Sequence, residues 1–153
     1  MLDRAACDRR PIDLSIASER LRLKAYIWAD QLERLERFDA ATDAALAARV
    51  QVETADAVAW VGRRAGPCEG AVTVLFHSIF WQYLTAEAQR ALGEMIEAVG
   101  ATATPTAPFA WLRMEPPLSD MATVELRLML WPGGTDRLLA HVHPHGAWVQ
   151  WIG

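Results

Sequence analysis

Cysteine is scarce: Cys7 and Cys68 are the only two in 153 residues, far apart and without CxxC spacing. A disulfide framework or a structural zinc set is thereby excluded, and a reducing compartment fits. No apolar run approaches the ~18 residues of a membrane-spanning helix, and the opening MLDRAACDRRPIDL has no apolar core of signal-peptide length. The expectation is a cytoplasmic protein with no membrane partner. Charge of one sign is also missing. Fifteen basic residues stand against nineteen acidic ones, a net charge of −4, whereas a nucleic-acid partner usually requires a basic face. Arg4, Arg9 and Arg10, and then Arg20, Arg22 and Lys24, do gather, but acids interleave with them, which reads as a solvated face. The sequence contains no GxSxG and no glycine-rich phosphate loop, neither GxGxxG nor GxxxxGKS. Serine-nucleophile chemistry and unaided nucleotide binding therefore lack their usual signatures.

What is present suits a packed α/β domain. Hydrophobic residues make up 52% of the chain, enough for a core and too many for a disordered chain. Residues 1–153 read as a single domain of ordinary size. Seven tryptophans are many for this length. Most sit in or beside apolar runs and suit core and sheet packing; an exposed subset would suit an oligomer contact.

The segment around CDRRPID reads as a loop or a strand remnant. Ser18 is a candidate N-cap, and Trp28, Gln31, Leu32, Leu35, Phe38, Thr42, Ala45 and Leu46 recur at helical spacing. They predict a short helix and then a main one over about residues 29–48. Residues 49–54 alternate like a strand and lead through Asp56 into a helical turn. The run AVTVLFHSI, 71–79, is apolar on both faces and predicts a central parallel strand. Thr85 caps the next helix, which Gly100 ends. A strand over 107–114 precedes Pro116-Pro117, and the strands 124–131 and 137–143 flank Pro132-Gly133-Gly134 as a hairpin. The fold expected is a mostly parallel sheet with helices and an antiparallel C-terminal end.

Ligands of open α/β sheets gather at the carboxyl ends of the parallel strands. Asp56, His77-Ser78 and Glu115 each close a predicted strand, and together they are the best-motivated site. Each has a plainer reading: Asp56 as an N-cap, His77 as a satisfied, partly buried histidine, Glu115 as a surface acid. His141, His143 and His145 would share a strand face, as zinc ligands do. Pro144 bends that run and no Cys, Asp or Glu completes a tetrahedral set, so no metal is expected.

The segments CDRRPIDL, LRLKAYIWADQLERLERFDAA, VTVLFHSIFWQYL, APFAWLRMEP and VELRLMLWPGGTDRLLAHVHPHGAWVQW resemble the bacterial domain-of-unknown-function family 2332 along nearly the whole chain. Members of that family look like distant relatives of Rossmann-type S-adenosylmethionine-dependent methyltransferases. The resemblance implies a cofactor site in which Asp8 holds a ribose and Asp56 and Ala57 lie beside an adenine, while His77 and Ser78 face the methyl donor. It also implies an upstream strand and glycine-containing turn, similar to EIGASAGLNL, which this sequence lacks. The expectation that follows is a truncated, methyltransferase-like domain without independent catalysis, acting through an interface or as a fragment. Its partner would be a second copy of itself or a chain supplying the N-terminal half. The alternative is an S-adenosylmethionine-binding enzyme of unknown substrate; the catalytic residues are not identified by the sequence.

Overall fold

Helices form where apolar residues return every three to four positions, and strands where β-branched and aromatic residues alternate. The computed structural model describes residues 1–117 and 123–152 and divides into two compact units, Met1–Ala57 and Val58–Gly153.

The first unit pairs two short parallel strands, β1 (Ala6–Asp8) and β2 (Val52–Thr54), in the register Ala6↔Val52 to Asp8↔Thr54. Between them run α1 (Ala17–Lys24) and α2 (Leu32–Ala47). CDRRPID thus opens on a real strand. The α1 helix begins after Ile16, which makes no side-chain cap, so Ser18 lies inside the helix and not at its cap. The short helix and the main one expected after it are both there, with Gln31 at the α2 N-cap. Lys24 Nζ bonds both oxygens of Asp39, at 2.8 and 2.6 Å, tying α1 to α2.

In the second unit, α3 (counted from Ala57, to Arg64) leads into β3 (Thr73–Ser78), a single 3-10 turn (Trp81–Tyr83) and α4 (Ala86–Gly100). Four strands follow: β4 (Phe109–Glu115), β5 (Val124–Trp131), β6 (Thr135–Val142) and β7 (Val149–Trp151). Thr85 is the α4 N-cap, its side chain accepting the Ala88 N–H. The hairpin lies where the sequence placed it, and the chain turns again at His143–Gly146 before β7.

The sheet order is β3-β4-β5-β6-β7, and here the sequence expectation needs correcting. Only β3–β4 is parallel; β4–β5, β5–β6 and β6–β7 are antiparallel. The sheet is therefore mostly antiparallel, and β3 is an edge strand, not a central one. The cause is connection length. Only β3–β4 is joined through a helix, as a parallel crossover demands, whereas short links after β4, β5 and β6 reverse the chain. The continuous apolar run of β3 was a true sign of two apolar faces, but not of two flanking strands.

Alternation and register sort the side chains onto two faces. One carries Leu75 and His77, then Phe109, Trp111, Arg113 and Glu115, then Trp131, Arg127 and Glu125. The α4 helix covers its lower part: a Cβ on Gly100 would stand 2.5 Å from Cδ2 of Trp131, and Leu92, Ile96 and Phe109 are buried. The opposite face carries Val74 and Phe76, then Ala110, Leu112 and Met114, then Leu130, Leu128 and Leu126. Its upper end closes into a core of Val124, Ala140 and Val142 with Ile79, Met114 and Leu126. Its lower end is open: Val74 and Phe76 are each 55% exposed and Leu130 45%.

Of the tryptophans, Trp60 and Trp111 are buried as expected, while Trp28, Trp148 and Trp151 are exposed. No helix among the described residues is long and apolar enough to cross a membrane.

Candidate functional site

Where β3 ends, the backbone turns sharply. Ile79 has φ +46°, a left-handed conformation that a β-branched residue enters at a cost of order 1–3 kcal/mol. Two anchors hold it there. The Ile79 N–H bonds the Met114 carbonyl at 3.0 Å, and the Phe80 N–H donates to both oxygens of Glu115, at 2.9 and 3.1 Å. Glu115 closes β4, the parallel neighbour of β3, so the carboxyl ends of both strands meet at one carboxylate.

His77 completes the arrangement. Its Nδ1 lies 2.7 Å from Glu115 Oε1, and the Trp111 indole Nε1–H donates to its Nε2 at 2.9 Å. An indole N–H can only donate, so Nε2 accepts and the proton sits on Nδ1, pointing at the carboxylate. The side chains of His77 and Glu115 are 11% and 9% exposed. Trp81 stacks on the imidazole, with centroids 5.5 Å apart and planes 19° from parallel. With both nitrogens engaged and one face covered, His77 offers no lone pair to a substrate. It couples the end of β3 to β4.

Beside this knot lies a cleft of about 370 Å³ walled by Trp81, Trp111 and the diproline, with Arg113 and Arg127 on its floor. The Arg113 guanidinium rests 4.4 Å from the Trp111 ring centre, a cation–π contact. Asp136 Oδ2 bridges both arginines, accepting from Arg113 Nη2 at 2.6 Å and Arg127 Nε at 3.1 Å. Arg127 Nη1 also bonds Glu125 at 2.8 Å. That bond raises the Arg127 pKa against the opposing effect of burial, and Asp136 adds to it. Among the described residues every carboxylate around the cleft is thus committed to the protein itself, and the cleft they form offers an aromatic wall more than a catalytic acid.

The sequence-derived candidates fall into different places. Asp8, Asp56 and Ala57 belong to the first unit. Asp8 closes β1 next to Thr54, its Oδ1 accepts the Arg10 N–H at 2.6 Å, and its carbonyl accepts the Ala55 N–H at 3.0 Å. Asp56 immediately precedes α3. His77 and Ser78 belong to the second unit and, being adjacent on a strand, point to opposite faces; Ser78 is exposed. Of the candidates, His77 and Glu115 are the pair brought into direct contact. The sequence reading did not find Trp111, Arg113, Arg127 and Asp136. The alternation of Trp111, Arg113 and Glu115 in FAWLRME was the available signal, since it places three polar-tipped side chains on one face.

The histidine-rich tail forms a turn. His143 Nδ1 accepts the His145 N–H at 3.1 Å, and the His143 carbonyl accepts the Gly146 N–H. Among the described residues no group of three or more His, Cys, Asp or Glu is placed to hold a metal.

Compared with known proteins, residues 1–151 match one family model, described as "Uncharacterized protein conserved in bacteria (DUF2332)". No curated protein and no solved structure matches the chain.

Proposed function

We propose that this chain, which belongs to that conserved bacterial family, works through a surface and not through catalysis of its own. The observation that carries this is the open lower face of the second unit, where Val72, Val74 and Phe76 are 56%, 55% and 55% exposed on an edge strand. Contiguous exposed apolar side chains of this kind mark contact surfaces. The free backbone edge of β3 carries no charge, proline or bulge to blunt it, unlike edges that stay unpartnered. The partner is a second copy of the chain, or a separate chain that adds to the sheet beside β3. His77 and Glu115 serve this role by fixing the end of β3.

The test is the stability of the double variant Val74→Thr, Phe76→Thr in urea at low protein concentration. At exposed positions the cost stays within about 1 kcal/mol. If the chain itself covered these side chains, the loss would reach roughly 3–5 kcal/mol, and the interface reading would fall.

A second reading keeps a nucleoside-containing cofactor, S-adenosylmethionine, and it is favoured by Asp8 closing one strand of a parallel pair. The carboxyl ends of parallel strands are where such ligands gather. Calorimetric titration with S-adenosylmethionine and S-adenosylhomocysteine, repeated on Asp8→Ala and Asp56→Ala, decides it. Saturable heat weakened by either substitution supports the cofactor, and the absence of heat at high ligand concentration removes it.

A further inference from the structure

The knot around His77 is asymmetric, and the two sides respond differently to acid. On one side Nδ1–H donates to Glu115 Oε1 at 2.7 Å; on the other Nε2 accepts the Trp111 indole N–H at 2.9 Å. A proton added to the ring has to go on Nε2, where the indole hydrogen already points. Two N–H groups cannot face each other across 2.9 Å, and an indole nitrogen has no lone pair with which to accept. The Glu115 side meets no such conflict, because a charged imidazolium donates to a carboxylate more strongly than a neutral ring does. We propose that His77 is a one-sided, proton-driven latch: its protonation releases Trp111 and reshapes the cleft, while the tie from β3 to β4 through Glu115 holds.

The surroundings decide where Trp111 goes. Its ring is 8% exposed, and the Arg113 guanidinium lying 4.4 Å from its centre offers donors only. A buried indole N–H without an acceptor is costly, so the ring moves toward the cleft it already lines, where water can accept. Of the charged groups nearby, Glu115 contacts the imidazole directly. Arg113 lies beyond Trp111 and is bonded to Asp136, which also holds Arg127, and Arg127 holds Glu125. From the other side Trp81 lies flat against the imidazole and Phe80 meets it edge-on. The α4 helix contributes Gln89, whose amide donates to the Trp81 carbonyl at 2.9 Å, while its charged neighbours Glu87 and Arg90 are exposed. The coupling is reciprocal: whatever proton uptake costs the Trp111 bond, that bond costs proton uptake.

NMR of the ¹⁵N-labelled chain, taken stepwise from about pH 8 to about pH 5, where histidine changes charge, follows the His77 imidazole and the Trp111 indole together. As His77 takes up its proton, the Trp111 N–H should lose its hydrogen-bonded signal and exchange with solvent at least about ten-fold faster, the size of one lost hydrogen bond. Phe109 and Ile96, both 0% exposed, should keep their signals, which reports an intact fold. Trp28 lies in the first unit, which contains no histidine, and should not respond. His77→Gln keeps a donor and an acceptor side by side but cannot titrate, so in it Trp111 should stay in place across the range. In Trp111→Phe, where Nε2 has no bond to lose, His77 should take up its proton at a higher pH than in the parent. The proposal is overturned if His77 is protonated with Trp111 unmoved, if Trp111 is released equally in His77→Gln, or if His77 stays neutral for as long as the second unit is folded. Should His77→Gln fail to fold, the Trp111→Phe comparison decides alone, and uptake at an unchanged or lower pH overturns the latch.

Discussion

Replacing Glu115 by alanine should be among the most damaging single changes in the second unit, although glutamate is seldom structurally central. The carboxylate is 9% exposed and takes two donors, the His77 ring N–H at 2.7 Å and the Phe80 N–H at 2.9 and 3.1 Å. In Glu115→Ala both donors stay buried and lose their acceptor, at about 1–3 kcal/mol each. Ile79, held at φ +46°, loses the clamp on its following residue. Relief from burying a carboxylate offsets part of this, leaving a net loss of roughly 2–4 kcal/mol. With a urea dependence of about 1–3 kcal/mol per molar for a unit this size, the unfolding midpoint falls by on the order of 1–2 M. Glu115→Gln keeps one acceptor oxygen but turns an amide N–H toward a second donor, so it should lie between alanine and the parent. A Glu115→Ala protein within about 0.5 kcal/mol of the parent would refute the idea that this carboxylate ties β3 to β4.

Other consequences follow from the same geometry. In ¹⁵N-labelled protein, His77 should carry its proton on Nδ1 with Nε2 unprotonated, and Trp111→Phe should abolish that preference and cost about 1–3 kcal/mol; an Nε2–H signal in the parent contradicts the assignment. Gly100→Ala should destabilise by roughly 1–3 kcal/mol in urea because its Cβ meets the Trp131 ring at 2.5 Å. Gly62→Ala, which meets only the mobile Met95 side chain at 2.9 Å, should cost less, and the reverse order would be evidence against the α4 packing. Asp136→Asn removes the shared partner of Arg113 and Arg127. It should cost about 1 kcal/mol at low salt and less in 1 M salt, and a salt-independent loss would count against an electrostatic role.

Local order was legible in the sequence, and lateral order was less so. Thr85, the α4 periodicity and the Pro132-Gly133-Gly134 hairpin are written in neighbouring residues, and all lie where expected. The position of β3 in the sheet was not written there. Two apolar faces look the same in sequence whether a strand has a neighbour on both sides or on one, so a central strand was expected where an edge strand stands. At the site, His77 and Glu115 were singled out because each closes a strand. Their mutual contact, and the Trp111 hydrogen bond that occupies the remaining ring nitrogen, depend on a 38-residue and a 34-residue separation that no local pattern encodes. The apolar run of β3 was read as two faces to be covered by helices, and the structure leaves the lower part of one open.

Hydroxyl-radical footprinting tests the central claim most directly, because the chain carries its own controls. Phe76 is 55% exposed and Phe109, one strand away, is 0% exposed. In dilute solution Phe76 should oxidise rapidly while Phe109 stays protected. If Phe76 were as protected as Phe109, the face would be part of the chain's own interior, and the account of it as an interface would be wrong.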